Sequence, residues 1–141
     1  MIGIRVATKS TTAERTKSAA EPGALAVVCL LAWLLPGAGH LWLGRRQKGI
    51  IFLLVIPFMF LVGLWLQGRL FPLAMSEPLV FLGALADRAI GTPYMLARML
   101  DAGNGTVIAV TYEYGNTFLM TAGLLNALVI LDAFDIAMGR K

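Results

Sequence analysis

Leu35-Pro-Gly-Ala-Gly-His-Leu-Trp-Leu-Gly-Arg-Arg-Gln-Lys-Gly49 sets a proline, a run of glycines and three cations between two apolar stretches. Upstream, residues 24–43 contain no Asp, Glu, Lys or Arg, and downstream neither do residues 49–66. Each approaches the length of about 20 apolar residues that crosses a bilayer as a helix. The quoted stretch is therefore the turn of a membrane hairpin, with Arg45, Arg46 and Lys48 at its tip. A third stretch, residues 116–135, is apolar up to Asp132 and Asp135, and it spans if those carboxylates reach the far interface.

Composition agrees with the pattern. Of 141 residues, 58% are hydrophobic and 14% charged, against about a quarter charged in ordinary soluble domains. The expected fold is an all-α integral membrane protein with three transmembrane helices, built from residues 24–141 as one membrane domain. Residues 1–23, with Lys9, Arg15 and Lys17 among Ser, Thr and Ala, read as a disordered tail. The apolar run begins late and lacks a small-x-small cleavage pattern, which favours an uncleaved anchor over a signal peptide. Val28 before Cys29 does not fit a lipoprotein pattern, and the lone Cys29 provides no disulfide framework.

With three spans, the hairpin cations and Arg140 with Lys141 share one side, which the distribution of positive charge makes cytoplasmic. The tail cations would then have to cross, accompanied by Glu14 and Glu21. Trp42 marks one interface, and Trp65, Tyr112 and Tyr114 the other. The expected location is the inner (cytoplasmic) membrane, with multiple passes.

Residues 67–114 form an interfacial region broken by Pro72, Pro78 and Pro93. Glu77-Pro78 opposes a fourth span. Residues 79–90 and 94–100 are expected to be short helices lying in the interface, with Asp87, Arg88 and Arg98 in the headgroup region. A turn at 101–105 and an extended segment at 106–112 complete the region.

Pro36-Gly-Ala-Gly-His-Leu-Trp-Leu-Gly44 and its cationic turn resemble the glycine-rich hairpin signature of small bacterial membrane proteins related to the two-transmembrane-helix domain. Residues 32–141, including Thr111-Tyr-Glu-Tyr-Gly-Asn-Thr-Phe118 and Leu131-Asp-Ala-Phe-Asp-Ile-Ala-Met-Gly-Arg-Lys141, are similar to an uncharacterised bacterial family of three-helix membrane proteins. The resemblance implies membrane topology and brings no activity. His40-Leu41-Trp42 stands where the broader hairpin relatives carry an aromatic pair.

In the hairpin, Pro36 bends the first helix, Gly37 and Gly39 admit a close neighbour, and Gly44 suits a left-handed cap. A phosphate-binding loop is excluded: Arg45 and Arg46 stand where such a loop needs Lys and a hydroxyl, and no strand precedes them. His40 is the only histidine. It is read first as a hydrogen-bonded interfacial side chain, then as an axial ligand to a pigment or haem, then as a proton-handling group. One histidine makes no metal site.

Asp132 and Asp135 sit at the helix end whose dipole disfavours anions, so a structural ion-pair cluster with Arg45, Arg46 and Lys48 is expected. A stripe of Thr117, Thr121, Leu124, Leu128, Asp132 and Asp135 is expected to face protein. Gly123, Asn126 and Ala127 offer an opposite surface for another subunit. The two aspartates are three apart on one helix, which does not suit an intramembrane aspartyl protease. The function expected is a non-catalytic scaffold or accessory subunit of a larger membrane complex. It would need no cofactor, would not be an enzyme, and would have the bilayer and protein subunits or self-association as partners, without nucleic acid. The alternatives are a pigment- or haem-binding subunit and a small oligomeric transporter or channel.

Overall fold

Pro36 decides where the first helix stops. In the computed structural model, which describes residues 21–140, helix α1 (Pro22–Leu34) ends as Leu35 turns extended at φ −128°, ψ 119°, because the residue before a proline is pushed out of the helical region. Gly37 then takes φ +86°, and α2 (Ala38–Trp42) runs back along α1. Gly39 lies against Val28 and Ala32, and Leu43 and Leu25 pack on the same cluster.

Residues 24–43, expected to be one span, are therefore divided between a helix of 13 residues that starts at Pro22 and a return helix of 5. At a rise of about 1.5 Å per residue, α1 reaches only about 20 Å before the chain reverses. The disordered tail expected over residues 1–23 falls, up to residue 20, outside the described residues.

Helix α3 (Arg46–Trp65) carries Pro57 in its interior, and α6 (Tyr112–Ala137) is the longest element described. Both are long and apolar enough to cross a membrane, and they pack closely on one another. Between them, α4 (Pro78–Ala89) and α5 (Thr92–Met99) bend by 103° at Ile90-Gly91, and the pair would make a third crossing if counted as one broken span. Elsewhere the described residues form only turns and one isolated bridge, Arg69 with Asn104.

Helices do form where the short interfacial ones were expected, but they do not lie apart from the bundle. Helix α4 packs on α6, with Ala86 O against Gly123 and Ala89 O on Asn126, while Gly83 lies against the Phe71 ring, and Asp87, expected among headgroups, is fully buried. Helix α5 leads back to the Trp65 end, where Gly103 meets Leu70. Residues 107–111, expected to be extended, are turns, with Ala109 N–H donating to Thr106 O and Tyr112 N–H to Ala109 O.

The main core joins Ile56 and Phe60 of α3, Leu70, Ile90, Ala97 of α5, and Leu119, Ala122 and Val129 of α6. A second cluster holds Val28 and Ala32 of α1 against Ala133 and Ala137 of α6.

The face that α6 buries is not the one its polar residues suggested. Gly115, Asn116, Leu119, Ala122, Gly123, Asn126, Val129, Ala133 and Ala137 point inward, whereas Leu124 and Leu128 of the expected stripe are exposed. Small side chains decide the outcome, since they let α1 and α4 approach the α6 backbone.

Candidate functional site

Reversal of the chain at Gly37 brings His40 inward. Its ring is fully buried, with Phe52 of α3 edge-on at 5.1 Å between centroids. Nε2 lies 2.8 Å from Asp132 Oδ2 on α6; because a carboxylate accepts, the imidazole N–H donates. Lys48 Nζ, at the start of α3, is 3.5 Å from the same oxygen. Three helices thus meet on one carboxylate.

The two contacts are unequal. Lys48 is 51% exposed and Asp132 19%, so water screens that ion pair, and pairs of this kind contribute about 1 kcal/mol or less. The His40 bond is shielded and stronger.

Of the cluster expected from sequence, Lys48 and Asp132 come together. Asp135 does not join them: its Oδ1 lies 3.4 Å from Arg140 Nη1, five residues along the same chain. Arg45 and Arg46 make no ion pair among the described residues and face solvent at the loop. The Arg45 backbone N–H donates to His40 O at 2.8 Å, which fixes α2 to the start of α3.

The expected packing residues divide similarly. Gly37 and Gly49 let α2 and α3 touch, Gly39 meets Ala133, and Gly44 adopts φ +78° with open space around it. Gly123 and Asn126 do not form a free surface for another subunit. A Cβ at Gly123 would fall on Ala86 O, and Asn126 Nδ2 donates to Ala89 O at 2.8 Å, so α4 covers this face.

Three joints were missed from sequence. Asn116 Oδ1 accepts the Arg69 N–H at 2.7 Å, Asp87 Oδ2 accepts the Phe71 N–H at 2.9 Å, and Trp33 Nε1 donates to Arg88 O at 3.0 Å. The last ties the tip of α1 to the α4–α5 bend. Of the contacts on Asp132, the one with Lys48 was anticipated from sequence as part of the expected cluster, whereas the bond from His40 was not.

The model of a family of unknown function, DUF6677, matches residues 27–141, more than four-fifths of the chain. The chain belongs to that family. Nearly all of the described DUF6677 fold, from within α1 onward, lies inside the match. No curated protein and no solved structure matches the chain.

As an axial ligand, His40 would have to release Nε2 from Asp132 or gain space beside Nδ1, which is buried without a hydrogen-bond partner. No group of three His, Cys, Asp or Glu side chains able to hold a metal occurs among the described residues. The centre as built joins α2, α3 and α6. His40→Gln, which keeps an N–H near the Nε2 position, should retain most of the thermal stability in detergent, whereas His40→Ala should lose about 2–4 kcal/mol by opening a cavity and stranding Asp132. Equal losses in the two variants would mean that ring packing, not the hydrogen bond, holds the hairpin.

Proposed function

We propose that this protein is a non-catalytic, multi-pass protein of the inner (cytoplasmic) membrane that acts as a scaffold or accessory subunit. The observation that carries the membrane part is the outer surface of the long helices. Leu54, Phe58 and Leu61 of α3, and Leu124, Leu128 and Leu131 of α6, are all exposed, which lipid tolerates and water does not. Supporting the non-catalytic part, His40, Asp87, Asn116 and Asn126 each make hydrogen bonds that join separate elements.

In this reading α3 and α6 cross fully. Helices α1 and α2 dip in from the Arg46 end and leave on the same side, and the α4–α5 pair enters from the Trp65 end. The tips meet in the interior, where such backbone is tolerated because protein surrounds it. Residue 21, the Arg45–Lys48 loop and the C-terminal end then share one side. The tail cations no longer have to cross, and the positive charge of the chain gathers on the cytoplasmic face.

Single cysteines at positions 23, 47 and 104, in a Cys29→Ala background, test this arrangement. Only position 104 should react with an impermeant reagent outside intact cells. Labelling of 23 together with 104 would make α1 a true crossing and remove the re-entrant hairpin.

The scaffold part has its own test. An apolar groove of about 510 Å³ between α4 and α6 is lined by residues including Leu82, Leu85, Met120 and Leu124, dimensions that suit side chains of a neighbouring helix. A photo-crosslinking residue at position 124 or 128 should yield one protein adduct of defined mass; adducts with lipid alone would rule out a subunit contact on this face.

A further inference from the structure

The turn between α2 and α3 holds more positive charge than its surroundings balance. Gly44, Arg45, Arg46, Gln47 and Lys48 line an open cleft of about 370 Å³. Asp132 is engaged by His40 and Lys48, and Asp135 by Arg140, while Arg45 and Arg46 have no ion-pair partner among the described residues. Over Gly44 a Cβ would meet nothing within 4 Å, so the cleft is open to an incoming group.

What lies along the helix from this cleft narrows the kind of ligand. Arg46, Ile50, Leu54 and Phe58 follow one another at four-residue spacing on α3, which puts them on one ridge about 18 Å long. All four are exposed. Trp42, also exposed, stands on the other flank at the position of an interfacial anchor. A cationic recess that continues into an apolar ridge matches an amphiphile with an anionic head and an acyl tail. A free phosphate would use the recess and leave the ridge bare.

We propose that this cleft binds the headgroup of an anionic phospholipid, with phosphate oxygens on the Arg45 and Arg46 guanidinium groups and an acyl chain along Ile50, Leu54 and Phe58. Arginine suits the task because its planar fork meets two phosphate oxygens at once. The proposal rests on the membrane reading and adds to it a lipid class and a place.

The test uses the full chain reconstituted in phosphatidylcholine vesicles doped with phosphatidylglycerol, then counts lipids retained by the protein after detergent exchange by native mass spectrometry. Phosphatidylglycerol should be retained over phosphatidylcholine, and R45Q and R46Q should each weaken retention about fivefold, about thirtyfold together. R140Q removes one cation elsewhere and should change little. R45K/R46K keeps the charge and loses the fork, so it should lower retention partially, and it reads the site even if the Gln double variant does not fold. Leu54→Ser should weaken retention without touching a cation.

Insertion with no preference between the two lipids, or an R140Q effect equal to that of R46Q, would overturn the site and leave the membrane reading standing. Displacement of phosphatidylglycerol by inorganic phosphate at concentrations that leave the Leu54→Ser variant equally sensitive would overturn the lipid assignment. Failure of the chain to enter vesicles at all would overturn the membrane reading and the site with it.

Discussion

Adding one methyl group at Gly91 should destabilise the fold by about 3–5 kcal/mol, and two independent costs combine to give that figure. Gly91 sits at φ +80°, ψ −122°, a backbone region that side chains with a Cβ avoid. A Cβ built there would also overlap the carbonyl oxygen of Trp33. To relieve that overlap the α1 tip must withdraw, which breaks the Trp33 Nε1 bond to Arg88 O. Two controls separate the costs. Gly44→Ala carries positive φ in open space and should lose about 1–2 kcal/mol from strain alone. Gly123→Ala keeps helical φ and meets the Ala86 carbonyl, so it reports close approach alone. Thermal unfolding in mild detergent ranks the three. A Gly91→Ala loss no greater than that of Gly44→Ala would mean that the α1 tip does not depend on this contact.

Asp132→Ala should rank next, at about 3 kcal/mol or more, because it leaves the His40 ring buried with neither nitrogen paired. Asp132→Asn keeps an acceptor for the imidazole N–H and should lose less. The larger effect resides in the histidine. Double-mutant cycles should give a coupling of about 1–3 kcal/mol between Asp132 and His40, and about 0.2–1 kcal/mol between Asp132 and the half-exposed Lys48. The reverse order would make the ion pair the principal fastening. Additivity in both cycles would remove this centre as a determinant of the fold.

The long helices were legible because length and the absence of charge specify them without reference to anything else. α3 and α6 appear close to their expected limits. The reversal at residues 35–37 was less legible, although its signals were local: a proline that restricts Leu35 and a glycine able to take positive φ. An apolar run of spanning length outweighed them. What closes the turn is Gly39 reaching Val28, Ala32 and Ala133, and contacts with α6 leave no mark in a sequence read one segment at a time.

Helix α6 misleads for a related physical reason. Polar residues were expected to choose its inward face, but in apolar surroundings small residues that permit backbone approach choose it instead. Asp132 lies at the edge of that face and Asn126 within it. The polar centre was half legible: Lys48 and Asp132 were expected to pair, whereas His40 reaches Asp132 only because the chain reverses at residues 35–37, which a count along one continuous helix does not show.

The cluster of Val28 and Ala32 with Ala133 and Ala137 also sets an order of events during synthesis. Helix α1 is the first apolar element described to leave the ribosome, and the face it packs on is the last. For the time needed to make some hundred residues, at about 5–20 residues per second, the hairpin has neither Ala133 to fill its groove nor Asp132 to meet His40. A nascent chain stopped just before residue 130 would hold both long apolar helices in large part and still lack the docked hairpin, so the earliest of the described helices is the last to find its place.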